Sequence, residues 1–457
     1  MVVEKGVTPV QVARMRPFLS RYPDKAAARV LEEGFSNGFW IPSSAVRGSK
    51  EPGNLKSARQ YPDVVKDKLA KEVSLGRMCG PFPEPPLDDL VVSPLGLVPK
   101  KELGKFRLIH HLSFPPGESV NDGIHPEECA VAYASIDAAI AWVRRYGKGA
   151  LLAKADIEAA FRLLPVHPLC MRLLGCKWDG GYYVDRCLPM GCSVSCALFE
   201  KFSTFLEWVV RTVAEVDSVI HYLDDFLLIG PAESGVCRVL LATLQHVAET
   251  FGVPLAGEKT EGPTTVLTFL GIELDTVVME CRLPLAKLDG LRGDVSRALE
   301  RRKMRLQEVQ SLLGKLNFAC RVIRMGRIFC RRLAAATAGV RAPSHFVRLS
   351  KEVKADLRVW EQFLVAFNGR ALWLEGPVTA VDLELFTDAA GSTGFGAYFG
   401  GKWCAGAWPQ SWVDAGLVRD LVVLELFPIV LAVDLWGREL ANKKVRFHCD
   451  NLGVVQA

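Results

Sequence analysis

The sequence predicts an α+β chain that ends in a separate α/β unit. Three patterns carry this. Two apolar runs flank an acidic pair within Ser218–Ile229, a strand–turn–strand signature. Phe199, Phe202, Phe205 and Val209 recur at helical spacing within Cys196–Val213, giving an amphipathic helix. From about Val381 the order changes to three strands, a helix and a strand. With 457 residues, and roughly 100–200 residues per domain, about three domains are expected. The patterns place breaks near residues 90, 275 and 377, so that the segments are 1–90, 91–275, 276–377 and 378–457.

Taken in order, residues 1–90 mix short helical patterns with Pro- and Gly-rich breaks, and Pro81–Pro86 (PFPEPP) reads as an extended linker. Val91–Lys101 and Lys105–Leu112 read as strands joined by a turn at Glu102–Gly104. Residues 130–146 look helical, and Ala150–Ile157 reads as a strand running into a helical turn. Val266–Leu274 reads as one further strand. Leu306, Val309, Leu313, Leu316, Cys320 and Ile323 predict one long amphipathic helix. In the last segment Leu383–Thr387, Gly394–Phe399 and Lys402–Ala407 read as strands, Val422–Leu435 as a helix and Lys444–Cys449 as a strand.

Composition narrows the function classes. Hydrophobic residues make up 49% and charged residues 23% of the chain, which is globular composition and excludes general disorder. The 13 cysteines include no CxxC pair, so a disulfide framework or zinc site is not expected. Free thiols point to a reducing, intracellular compartment, cytoplasmic or nuclear. Met1–Met15 lacks a hydrophobic signal core. The most apolar stretch, Leu421–Trp436, contains Glu425, Pro428 and Asp434, so no membrane span is expected. The net charge of +5 hides a contrast: residues 281–350 hold 16 Lys+Arg against 4 Asp+Glu, a net +12, leaving −7 for the other 387.

Tyr222-Leu223-Asp224-Asp225 lies between two hydrophobic strands. Adjacent carboxylates there repel each other and lose hydration, and a divalent cation relieves both costs. Asp-Asp is also a common turn formation in its own right. Asp156, at the end of the run Ala150–Ala155, adds a third acid. An Asp at a strand end with an acidic pair on a later hairpin is a layout for two Mg²⁺ in nucleotidyl transfer.

Five motifs in order over residues 91–275 resemble the reverse transcriptase family. They are Ser93–Lys101 with Lys105-Phe106-Arg107 (the fingers hairpin), Asp156–Phe161 (the first palm motif), Leu188–Ser193 (Leu-Pro-x-Gly), Tyr222–Asp225 (Tyr-x-Asp-Asp) and Phe269–Ile272 (the primer grip). Ile109–Leu112, the Leu-Pro-Met-Gly box and the Arg-rich helix look most like the DIRS-type, tyrosine-recombinase retrotransposons. The resemblance implies a right-hand polymerase. Residues 1–90 would extend the fingers, 91–275 form fingers and palm, and 276–377 form a basic helical thumb and connection.

By the same resemblance Asp156, Asp224 and Asp225 are catalytic, and Asp156 and Asp224 hold two Mg²⁺, with Mn²⁺ as an alternative. Lys100 or Lys101, with Arg107, would contact the triphosphate of a dNTP, since guanidinium suits phosphate. Phe161 would gate against a ribose 2′-OH, the alternative being an ordinary core aromatic. Met190 and Gly191 would line the nucleotide pocket, and Lys259 would protonate pyrophosphate unless it is a surface lysine. Phe269, Leu270 and Gly271 would grip the primer. Two positions depart from the pattern: His111 stands where many relatives carry Asp, and Met190 replaces Gln or Phe. His110-His111 reads as a local structural pair.

The C-terminal unit places Asp388 at a strand end, Glu425 in the first turn of a helix and Asp450 at another strand end. An acid near a helix N-terminus ordinarily offsets the dipole. The three in this order, on strands and helix arranged βββαβ, resemble ribonuclease H, where they would hold two Mg²⁺ and cleave the RNA of an RNA–DNA hybrid. The sequence stops at Ala457, so the α/β ribonuclease H-like domain is expected to be truncated, without its fourth carboxylate, and residues 378–457 alone are expected not to cleave a hybrid.

In the basic segment Arg301, Arg302, Lys303, Arg321, Arg324, Arg327, Arg331 and Arg332 form either a solvated helical face or a surface that tracks the phosphates of a template–primer duplex. The sequence as a whole is read as an RNA-directed DNA polymerase acting on an RNA or DNA template with primer, with an inactive or host-adopted element that binds nucleic acid as the alternative. An RNA-dependent RNA polymerase shares the palm chemistry, but Phe161 argues against it. Oligomeric state is open.

Overall fold

The computed structural model describes residues 4–46, 51–100, 104–371, 384–440, 445, 447–449 and 451–455. The chain divides into two compact units, Met1–Leu374 and Glu375–Ala457. Among the described residues no helix is long and apolar enough to cross a membrane.

The centre of the first unit is a four-stranded antiparallel sheet in the order Val219–Tyr222, Asp225–Gly230, Leu151–Asp156, Glu261–Thr264. Its middle strands read as largely apolar runs because both faces are mostly buried, with Lys154 the charged interruption, paired with Glu261 at 3.2 Å. Ala153, Ala155, Phe226 and Leu228 enter one core, with the helix Val194–Ala214 and the N-terminal helices Val12–Leu19 and Lys25–Asn37. Leu152, Leu227 and Ile229 alternate into a second core, built on Leu285–Glu300, Leu306–Ala319 and Lys351–Ala366 around the fully buried Trp360. Aromatic edges join the second N-terminal helix and the loop before it to the first core. Phe35 meets Phe202 at 4.9 Å between ring centroids, and Tyr22 meets Phe205 at 5.3 Å.

The strands expected on either side of Glu102–Gly104 form the hairpin Leu95–Pro99 and Phe106–His110, with Leu95 opposite His110 and Pro99 opposite Phe106. Four expectations are corrected. Met78–Phe82 is a strand paired with Gly181–Asp185, so Pro81 and Phe82 are not linker. Proline lacks a backbone donor but is tolerated on this edge strand, which has a single partner. Helix begins only at Ile136, not 130. The single strand expected over Val266–Leu274 is a hairpin, Val266–Phe269 and Ile272–Asp275, turned at Leu270 and Gly271, whose φ values are 47° and 75°. The long helix from Leu306 ends at Ala319 and is followed by a short 3₁₀ segment, Arg324–Cys330. The chain there folds back on Trp360, where a Cβ on Gly326 would lie 2.3 Å from the indole ring. The core face of the helix is Leu306, Val309, Leu312, Leu316 and Ala319, and Leu313 is only half-buried.

The second unit has the antiparallel strands Leu385–Ala390, Gly394–Phe399 and Lys402–Gly406. The helix Leu421–Leu440 packs on them through Leu424, Ala432 and Trp436. His448 forms a parallel bridge to Phe386. The first strand extends past Asp388 to Ala390, and because the helix starts one residue earlier, at Leu421, Glu425 falls just beyond its first turn.

Candidate active site

The register of the central sheet assembles the acidic cluster. Asp156 ends its strand directly opposite Asp225, and Asp225 is paired in turn with Tyr222. Only Leu223 and Asp224 are left to make the turn, and Leu223 takes a left-handed φ of 53°. A non-glycine residue there is strained by roughly 1–3 kcal/mol. The Asp224 carbonyl accepts from the Ile157 amide at 2.9 Å, which ties the turn to the end of the Asp156 strand. Asp156 is buried, and Asp224 and Asp225 are half-buried.

Crowding of the carboxylates shows in their protonation. Burial pushes the Asp224 carboxyl up, as does the charge of Asp156, while Lys259 and Arg107 oppose the shift. Asp225 is pushed up to about 6 by burial, by the charges of Asp224 and Asp156 and by its hydrogen bond with Asp156. The Lys259 ammonium donates to Asp156 Oδ1 at 2.7 Å. Among the described residues no three His, Cys, Asp or Glu side chains stand as a closed metal cage. In the palm, lysine holds Asp156. The donor set is nonetheless what a hard dication prefers: oxygen ligands whose mutual repulsion a cation relieves.

The Leu-Pro-Met-Gly loop is held against the fingers hairpin. The His110 amide donates to the Met190 carbonyl at 3.1 Å, and Asn121 donates to the Gly191 carbonyl at 2.8 Å while accepting from the Ser193 amide at 3.0 Å. Gly191 has φ 121°, and a Cβ there would lie 1.9 Å from the His110 carbonyl oxygen, so only glycine fits. Beneath this junction His110 Nδ1 meets Asp185 at 3.1 Å and Nε2 meets the Gly175 carbonyl at 3.0 Å. Arg162 pairs with Asp185 at 2.7 Å and with Glu72 at 2.9 Å. Sequence reasoning missed Asn121, Asp185 and Arg162. None of the three carries a local pattern that marks it.

Phe161 follows two residues with positive φ, Ala159 at 63° and Ala160 at 25°. It is half-buried and meets Phe199 edge-on at 5.6 Å. Arg107 lies on the fingers hairpin, within electrostatic reach of Asp224. Lys100 closes that hairpin, its amide donating to the Lys105 carbonyl at 2.7 Å, and Lys101 lies outside the described residues. In the expected primer grip Phe269 is buried, while the Gly271 carbonyl accepts from Lys287 at 3.0 Å.

All eight named basic side chains of the 281–350 segment are exposed. Arg301 pairs with Glu308 and Arg332 with Asp356, each at 2.9 Å, and Lys303 lies 4.4 Å over the Phe346 ring. In the C-terminal unit Asp388 is exposed and lines a groove of about 880 Å³ with Phe386, Tyr398, Trp403 and His448. Glu425 is buried in its helix, and Asp450 lies outside the described residues.

An antiparallel sheet that brings one strand-end Asp against a hairpin Asp-Asp turn, with a basic fingers hairpin nearby, defines the palm of a nucleic-acid polymerase. More particularly, residues 98–274 match the family model described as Reverse transcriptase (RNA-dependent DNA polymerase). They form a reverse transcriptase domain of the retroviral and retroelement type. The chain is similar to a Gag-Pro-Pol polyprotein of Human T-cell leukemia virus 3 (strain Pyl43), 26% identical over 60% of this chain and 18% of that one. It is also similar to Protein P of Heron hepatitis B virus, 27% identical over 36% of this chain and 20% of that one. The matched part thus spans a fifth or less of these curated relatives. In fold it is similar to a foamy viral protease-reverse transcriptase dRH in complex with double-stranded DNA, with a TM-score of 0.57 and 14% identity over 96% of this chain and 82% of that one. A foamy viral protease-reverse transcriptase in complex with an RNA/DNA hybrid gives a TM-score of 0.55 and 15% identity, over 96% of this chain and 63% of that one.

Proposed function

We propose that this chain is the RNA-directed DNA polymerase of a DIRS-type retrotransposon, extending the 3′-OH of a primer with dNTPs on an RNA or DNA template. The observation that carries the reading is the register that sets Asp156 opposite Asp225 with Asp224 in the turn between. In this reading Asp156 and Asp224 hold two divalent cations, Mg²⁺ or alternatively Mn²⁺, with Asp225 adjacent. When bound, such ions lower the pKa of the attacking hydroxyl and stabilise the leaving pyrophosphate.

The protein's own groups position and balance charge, which is most of what phosphoryl transfer requires. Arg107, with one of Lys100 or Lys101, meets the triphosphate. Gly191 and Met190 let the backbone approach the nucleotide, and Phe161 excludes a 2′-OH. Lys259, bonded to Asp156 at 2.7 Å, supplies a proton to pyrophosphate in this reading. Phe269, Leu270 and Gly271 support the primer end, and the exposed arginines of the 281–350 segment follow the duplex phosphates. Residues 378–457 are read as ribonuclease H-like, with Asp388, Glu425 and Asp450 as its metal ligands on an RNA–DNA hybrid. Incorporation of dTTP on poly(rA)–oligo(dT) with Mg²⁺, in preference to UTP, tests the polymerase reading. No incorporation refutes it.

A further inference from the structure

Below the acidic turn lies a buried charge cluster that no motif predicts. His221 precedes Tyr222 and is 6% exposed. Its Nδ1 meets Glu207 Oε2, and its Nε2 meets Glu200 Oε1 at 3.1 Å and the Thr204 hydroxyl at 3.5 Å. Glu200 and Glu207 lie two turns apart on the helix Val194–Ala214, so the imidazole bridges two points of that helix. Arg211, one turn further on, pairs with Glu207 at 2.7 Å and donates to the Val219 carbonyl at 2.5 Å. On the neighbouring strand His221 is in register with Phe226, the residue after Asp225, and stacks on it at 5.5 Å.

An imidazole with a carboxylate at each nitrogen makes both hydrogen bonds only when both nitrogens carry protons. The neutral ring donates once and leaves one buried carboxylate facing a lone pair. We propose that His221 is a positioning residue, an imidazolium clamp that fixes the Leu223-Asp224 turn to the palm helix so that Asp224 is held for nucleotidyl transfer. The strained left-handed Leu223 requires such support, because a sparsely populated backbone conformation persists only where its surroundings over-determine it. The charged groups facing the ring are Glu200, Glu207 and Arg211 from the helix, with Asp225 one register step away on the paired strand. In support, the two carboxylates outweigh burial and raise the imidazole pKa to about 9. The sign follows: the clamp is intact at neutral pH and is lost as pH rises through about 9.

The inference rests on the polymerase reading, and the test separates the two. In the full chain, the His221 ring carbons and nitrogens are followed by NMR from about pH 6 to 10, a window that brackets the ordinary and the raised imidazole values, and are assigned with His221→Gln. An imidazolium persisting at about pH 8 is expected, and titration at or below the ordinary value of about 6.5 overturns the clamp whether or not the chain polymerises. In primer extension, His221→Gln is expected to lower kcat at least about tenfold at neutral pH, roughly 1.4 kcal/mol in the barrier, with template–primer Kd within about twofold. The decline of wild-type kcat near pH 9 is expected to be absent from the variant. A kcat within about twofold of wild type, or the same alkaline decline in both, overturns the proposal. Should His221→Gln not fold, Glu200→Gln removes one partner only and is expected to move the decline to lower pH. An unmoved decline counts against the clamp. A wild-type chain inert in extension refutes the polymerase reading, and the NMR titration still decides the clamp.

Discussion

Replacing Arg162 by Met tests how the fingers and the nucleotide pocket are held. The guanidinium lies between Asp185 at 2.7 Å and Glu72 at 2.9 Å, and also donates to the Cys187 and Arg77 carbonyls at 3.0 and 3.3 Å. Asp185 has only 3% of its side chain exposed. Methionine fills similar volume, so packing is largely kept while the charge is lost. Removing one partner of a buried ion pair costs about 3–5 kcal/mol, because the other charge is left uncompensated. Burial alone would raise the Asp185 carboxyl, but Arg162 first, with help from His110, holds it below its ordinary value. A depressed carboxyl contributes stability above the ordinary carboxylate range and loses it as pH falls through the depressed value. In Arg162→Met burial is opposed by fewer charges, so the deficit is largest near neutral pH and shrinks toward about pH 4, the ordinary carboxylate range. Urea unfolding at both pH values measures it. A loss under about 1 kcal/mol at neutral pH, or a deficit that grows in acid, refutes the reasoning.

Three further outcomes follow from named residues. Gly191→Ala forces a methyl to within 1.9 Å of the His110 carbonyl at a φ of 121°. The loop must move, and KM for dNTP is expected to rise about tenfold or more, consistent with about 1–3 kcal/mol of overpacking strain, as steady-state extension would show. Phe161→Val is expected to raise UTP incorporation relative to dTTP, and an unchanged ratio removes the gate assignment. Replacing Arg321, Arg324 and Arg327 by Gln is expected to flatten the dependence of log K on log salt by about 0.9 for each phosphate no longer neutralised, measured by duplex binding between roughly 50 and 200 mM salt.

What the sequence made legible was local. The apolar runs around Asp224-Asp225 and before Asp156 marked the palm strands, because strands buried on both faces have few alternatives. The expected strand at Val266–Leu274 failed at Leu270-Gly271. Two residues suffice to reverse a hairpin, and the apolar residues Phe269, Leu270 and Ile272 on either side of Gly271 masked the turn. The long helix from Leu306 failed because no Gly or Pro marks its end at Ala319; the next glycine, Gly326, lies in the following 3₁₀ segment, against Trp360. Arg162, Asp185 and His110 were not legible as a unit, since partners 23 to 75 residues apart leave no periodic trace. His221 was hidden for the same reason: its carboxylate partners lie on a different element, 14 and 21 residues away.

The central claim is that Asp156 and Asp224, brought together by the strand register, carry nucleotidyl transfer. Primer extension on poly(rA)–oligo(dT) with Mg²⁺, comparing the wild-type chain with Asp224→Asn at matched folding, tests it most directly. The account predicts extension by wild type and a loss of at least about a thousandfold (roughly 4 kcal/mol in the barrier) in the variant. Equal activity in the two would contradict it.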